Sequence, residues 1–207
     1  AGEISGTTGT VQARASLTTG YWGGGGGRIA LIATNTTTLP DADELTLEAF
    51  GGRGSYQTDK GADGMAGTIF LQSLTSQRLI INQNNRRRDG DLFMYYTDLP
   101  ATLHDLTLPA GLDNPFSDAD LTIKNQARVR LTESIRLKNL AWLCETSMLD
   151  LNSFTLFLKD PQPENFPDLS SSSDTPITLP GEFGGGTIVP NGGRVVWDNA
   201  PYKIPVL

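Results

Sequence analysis

Residues 121–158 repeat on a fourteen-residue spacing, and no other feature of the chain constrains its fold as tightly. The rows are LTIKNQARVRLTES from Leu121, IRLKNLAWLCETSM from Ile135 and LDLNSFTLFLKDPQ from Leu149. Each opens apolar-x-apolar. A second apolar pair follows: Val129 with Leu131, Trp142 with Cys144 or Leu143, and Leu156 with Leu158. Alternation with a period of two is the pattern of a strand with one buried face. Its return at a fixed spacing points to a solenoid, in which each row lies on the row before and inward residues stack. Asn125 and Asn139 fall at equal offsets, where corner asparagines can form a ladder. Asparagine tolerates the left-handed backbone that such corners need. A meander of hairpins would show similar alternation, and three rows do not separate the two.

The rest of the chain is also strand-like. Thr, Gly, Asn, Asp and Pro interrupt every candidate helix. Short alternating runs are read as strands near 29–34, 45–50, 68–71, 79–82, 92–96, 105–108, 177–179, 187–189 and 194–197. A glycine-led motif recurs as GGGRIAL at 25–31, MAGTIFL at 65–71, GGGTIVP at 184–190 and GGRVVW at 192–197. Glycine permits tight corners and close strand approach, and Gly23–Gly27 reads as a corner or loop entering a strand. Segment 160–185 holds five prolines and the run Ser170–Ser173, and reads as an irregular, mobile excursion. The expected fold is all-β, a right-handed parallel β-helix with that excursion. It forms one domain over 1–207: a glycine-rich part to 108, regular rungs over 109–159, and loop and terminal strands from 160.

Charge and composition exclude several classes. The chain has 23 acidic against 16 basic residues and a formal charge of -7. A general nucleic-acid or anionic-membrane binder would depend on Lys and Arg, so neither partner is expected. No apolar run nears the roughly 18 residues of a spanning helix, so no membrane insertion is expected. One Cys and one His exclude a disulfide framework, a cysteine-rich zinc site and a multi-histidine metal site. The first residues carry no signal-peptide pattern, and the chain reads as a piece of a larger one.

The rows LTIKNQARVRL and their successors resemble the passenger repeats of autotransporters and filamentous adhesins. The runs GGGGGRIALIA, LEAFGGRGSYQ and GADGMAGTIFLQ resemble glycine-rich repeats of large bacterial surface proteins. Together the two likenesses cover about half the chain. They imply a right-handed parallel β-helix at the cell surface or outside the cell, and no catalytic residue set.

Residues that could carry chemistry are few. His104, beside Asp105, would have to serve any Ser-His-acid triad, and no G-x-S-x-G elbow accompanies it. Cys144 sits in an apolar run and reads as a small buried hydrophobe. In NNRRRDGDLF, Arg87 with Asp89 and Asp91 is the candidate catalytic set of a polysaccharide lyase or hydrolase; Arg can clamp an acidic sugar. The competing reading is a solvated turn around Asp89-Gly90. Asp41 and Asp43, Asp89 and Asp91, and Asp118 and Asp120 are alternate carboxylates that read best as solvated turns; no cofactor is expected beyond one structural calcium that such a pair could hold. Tyr21, Trp22 and Tyr95 are the candidates for stacking on sugars, whereas Trp142 and Trp197 occupy apolar strand positions and read as core. The leading expectation is a non-catalytic structural or adhesive module. It would self-associate end to end into filaments or bind a surface glycan. The alternatives are a polysaccharide lyase or hydrolase, or a glycan-binding module, on the same scaffold.

Overall fold

The computed structural model describes residues 9–15, 23–33, 45–52, 63–85, 96–99 and 116–197. The strand expected at 105–108 lies outside them, as does all but Tyr96 of the one at 92–96. The described strands are β1 (Gly9–Gln12), β2 (Arg28–Ile32), β3 (Leu45–Glu48), β4 (Thr68–Gln72), β5 (Gln77–Asn82), β6 (Thr97–Leu99), β7 (Ala119–Lys124) and β8 (Arg128–Leu131). They continue as β9 (Ile135–Leu137), β10 (Asn139–Leu143), β11 (Met148–Asp150), β12 (Thr155–Leu158), β13 (Ile177–Thr178), β14 (Thr187–Val189) and β15 (Arg194–Trp197). One 3-10 turn spans Gly181–Phe183. Among the described residues the protein is therefore all-β, as the sequence implies.

The strands form four open sheets, ordered β1-β3, β10-β7-β5-β4-β2, β13-β14-β11-β8-β6 and β15-β12-β9. Strands β7, β8 and β9 enter the last three in turn, and β10, β11 and β12 follow in the same order. All these neighbours pair in parallel. Leu121 faces Leu140, Val129 faces Leu149 and Ile135 faces Leu156, at separations of 19, 20 and 21 residues. The fourteen-residue rows are thus not the pairing unit. Leu121, Ile135 and Leu149 lie in three different sheets, because fourteen residues span two strands and pairing partners lie three strands apart. Inward columns run across the ladders: Leu79, Leu121 and Leu140; Val129, Leu149 and Ile188; Ile135, Leu156 and Val195. All nine side chains are buried. Full burial of one such side chain stabilises by about 1.5–3 kcal/mol.

Corners use left-handed pairs: Asn84-Asn85, Asn125-Gln126, Asn152-Ser153 and Asn191-Gly192 all have positive φ. The expected asparagine ladder exists with a different partner. Asn125 Nδ2 donates to Asn82 Oδ1 at 2.9 Å, while Asn139 lies inside β10 opposite Asp120. Asn191 Nδ2 likewise donates to Asp150 Oδ1 at 2.9 Å.

The sheets are mixed, which corrects the expectation of purely parallel pairing. β4 and β5 are antiparallel, as are β13 and β14. Only Ser73–Ser76 join β4 to β5, and Ser73 N–H donates to the Ser76 carbonyl at 2.9 Å. A parallel return would need a crossover of a dozen or more residues. The hairpin gives its sheet two buried faces. Leu79 and Ile81 join the large core; Ile80, Ile69, Leu71 and Ile29 form a second, smaller core with Ala49.

The glycine-rich part serves that second core by close approach rather than by cornering. Segments 23–27, 49–52 and 63–67 bond one another mutually. Gly26 N–H donates to Met65 O at 2.9 Å, Gly52 N–H to Gly24 O at 2.8 Å, and Gly64 N–H to Gly52 O at 2.8 Å. In a flat sheet two outer strands cannot bond each other, so the three segments form a triangular bundle. A Cβ on Gly64 would overlap the Gly24 carbonyl, and one on Gly67 the Gly27 carbonyl. Neither neighbour is a flexible side chain that could yield. We predict that Gly67→Ala lowers stability by about 1–3 kcal/mol, the range of overpacked interiors, read as a fall in the urea midpoint. Gly181→Ala, with nothing within 4 Å of its Cβ, should leave the midpoint unchanged. Equal midpoints for both variants would contradict the close-approach account.

Candidate functional site

Arg87, Asp89 and Asp91 lie outside the described residues, as do Tyr21, Trp22, Tyr95, Asp41, Asp43 and His104. Asp118 and Asp120 are described and do not converge on a shared cation site. Asp118 accepts from Lys159 Nζ at 3.0 Å and Asp120 from Lys138 Nζ at 3.4 Å. Asp98 is taken up by Arg130, whose Nε and Nη2 donate to Asp98 Oδ1 at 3.0 and 2.7 Å. That guanidinium also lies 5.4 Å over the Tyr96 ring. Among the described residues no three His, Cys, Asp or Glu side chains gather as metal ligands.

Two core assignments are corrected. The register shifts between Leu140 and Trp142, so both Leu140 and Leu143 point inward while Ala141 and Trp142 point out. Trp142 is 42% exposed. A bulge of this kind re-aims side chains past it, and plain alternation cannot foresee it. Cys144 follows the bulge and is half-buried rather than core. Burial alone would raise its thiol pKa. Hydrogen bonds with the backbone at Asn125 and Thr146, and with the Thr146 hydroxyl 3.7 Å away, outweigh burial and hold the thiol below its ordinary range.

The C-terminal end of the three parallel ladders is covered by residues 160–186. The segment is irregular as expected, yet it is anchored throughout. Val195 N–H, on the outer edge of β15, donates to the Leu169 carbonyl at 2.8 Å, and Gly192 N–H donates to the Ser173 carbonyl at 3.0 Å. β13 pairs along the outer edge of β14. Gly186 N–H donates to the Leu143 carbonyl of β10 at 2.9 Å. Phe166 stands edge-on to both Phe183 and Trp197, with ring centroids 5.1 Å apart in each pair. One excursion thus meets the last strand of all three ladders.

Between this excursion and β15 lies an open cleft of about 320 Å³. Gln162, Asp168 and Ser170 line it from the excursion, and Val196 and Trp197 from β15. Asp168 Oδ1 accepts from the Ser170 hydroxyl at 2.6 Å and from the Ser170 N–H at 2.9 Å. These bonds, the hydroxyl first, hold the Asp168 carboxyl below the usual carboxylate range. Gln162 Nε2 donates to the Phe166 carbonyl at 3.3 Å. Trp197 is partly buried against the core, as its strand position suggests, and also lines the cleft. Sequence reasoning missed the site because its two walls lie some thirty residues apart and no periodic signal runs through 160–176.

No protein-family model, curated protein or solved structure matches this chain.

The sole Cys makes one electrostatic point directly measurable. Alkylation of Cys144 by iodoacetamide should show a pH midpoint below that of an ordinary thiol, about 8.5. Thr146→Val should move it upward. A wild-type midpoint at or above the ordinary value would contradict the described hydrogen bonds.

Proposed function

We propose that this chain is a non-catalytic structural module of an extracellular protein, whose residues 119–197 wind as a right-handed parallel β-solenoid. The observation that carries the reading is the recurrence of inward partners at 19, 20 and 21 residues in three successive sheets. A chain that enters the same three sheets in the same order twice has the connectivity of a coil. The right hand follows from the general preference of parallel crossovers. The extracellular setting rests on the likeness of the glycine-led and Leu-x-Ile-x-Asn repeats to bacterial surface proteins. Described acidic side chains support a non-catalytic role: Asp98, Asp118 and Asp120 are each engaged by a cation, and Asp150 accepts from Asn152 N–H and Asn191 Nδ2.

A rod of this kind can associate through unpaired strand edges. Its C-terminal edges are covered by residues 160–186, whereas no described residue pairs with the outer edges of β1 and β2. Val11 and Ile32 are exposed on those strands. A covered C-terminal end, set against edges of β1 and β2 that are open among the described residues, favours a discrete pair over a propagating head-to-tail filament. The module therefore serves as a bounded rod segment rather than a self-polymerising one.

Light scattering over a concentration series, with electron microscopy, tests this. The wild type should remain a monomer or dimer at every concentration. Replacing residues 161–176 by a short Gly-Ser linker should produce higher assemblies. Wild-type filaments that lengthen with concentration would overturn the bounded-rod reading. Cleavage of any acidic polysaccharide by the purified chain would overturn the non-catalytic one.

A further inference from the structure

We propose that the cleft between residues 162–170 and β15 binds a neutral saccharide. The inference goes beyond the rod reading and does not depend on it. Its first support is the polarity of the cleft's hydrogen-bonding groups. Asp168 Oδ1 takes both bonds from Ser170, which leaves Oδ2 without a partner among the described residues. Gln162 uses one amide N–H on the Phe166 carbonyl, which leaves its second N–H and its Oε1 for a ligand. The Ser170 hydroxyl donates to Asp168 and keeps its acceptor lone pairs. The cleft therefore presents a carboxylate oxygen beside an amide that both donates and accepts, and its complement is a ligand rich in hydroxyls.

The second support is the opposite wall. Trp197 brings an aromatic ring to the cleft from β15. A pyranose has both matching parts: a face of C–H groups for the ring and an edge of hydroxyl donors for the acceptors. Aromatic side chains combine apolar area with a polarised face suited to such contacts. The volume of about 320 Å³ falls at the small end of the range for ligand pockets.

The third support is charge. Among the described residues no Lys, Arg or His lines the cleft, and the one ionisable group there is a carboxylate. A uronate or phosphate would meet Asp168 with no counter-charge, which disfavours acidic sugars. Preorganisation is also present. Phe166 is wedged between Phe183 and Trp197, so the wall that carries Asp168 is fixed before any ligand arrives. A rigid site loses less entropy on binding than a loop that must be ordered.

The test uses the full chain with cellotriose, xylotriose, maltotriose and trigalacturonate as probes, followed by calorimetry and saturation-transfer NMR. At least one neutral trisaccharide should bind and be recovered uncleaved, and trigalacturonate should not bind. Asp168→Ala, a change at an exposed side chain, should weaken binding about tenfold or more, the loss typical of a hydrogen bond to a charged group. Trp197→Leu should abolish it, provided its circular dichroism matches the wild type; Gln162→Ala gives an independent reading if it does not. Absence of binding by every neutral probe would overturn the proposal. So would equal affinity in wild type and Asp168→Ala, preference for trigalacturonate, or displacement of the sugar by a lysine-bearing peptide.

Discussion

Lateral stacking of inward side chains at separations near twenty residues is the constraint on which the regular part of this protein depends. Each ladder sets Leu, Ile or Val against a like residue in the next strand, so three sheets share one continuous core. Such a core tolerates little register error, because a one-residue slip turns the buried set outward. The left-handed asparagine corners and their side-chain bonds to neighbouring strands hold the register. Where the chain breaks register, at Leu140/Trp142, it does so by one residue and then recovers the inward position with Leu143.

The N-terminal part solves a different problem. The β4–β5 hairpin buries both faces of its sheet, and the second face needs its own cover. Leu47 of β3 and Ala13, just after β1, pack against that face. Beside them runs a bundle of glycine segments whose backbones approach closely enough to bond in a triangle. Two side chains tie this bundle to the larger core: Gln83 Nε2 donates to the Gly64 carbonyl at 2.7 Å, and Thr97 Oγ1 to the Ala66 carbonyl at 2.7 Å. Glycine is used here for the absence of a side chain, since none of these residues has positive φ.

Much of this was legible in the residues. The period of two located the inward positions of β7, β8, β9 and β12, because burial alternates strictly along them. Asn125 was readable as a corner from its conformational tolerance. The pairing period was not readable, since an offset of fourteen reproduces the same apolar-x-apolar start two strands later. Nor could the residues show that Ser73–Ser76 would reverse the chain, or that Trp142 would turn outward. The candidate cleft was invisible for a related reason. Asp168 and Trp197 line one cleft where Val195 N–H donates to the Leu169 carbonyl, a pairing no sequence period announces. Residues singled out for chemistry, Arg87, Asp89, Asp91, Tyr21, Trp22 and Tyr95, lie outside the described part of the chain.

The covering of the last strands follows from the same physics as the ladders. A last strand leaves a row of unpaired backbone groups, and residues 160–186 meet those of β10, β14 and β15 with their own backbone and a wedge of aromatic rings. All of it presumes that pairing partners lie about twenty residues apart. Cross-linking of cysteine pairs in a Cys144→Ser background tests that most directly. Arg136 and Phe157 face each other across β9 and β12, with the guanidinium 5.8 Å from the ring centroid. Neighbouring strands lie about 4.8 Å apart, within reach of a disulfide or a short bifunctional reagent. Arg136→Cys with Phe157→Cys should cross-link rapidly in the folded protein, and Thr122→Cys with Arg136→Cys, fourteen residues apart, should not. The reverse result would contradict the three-sheet register.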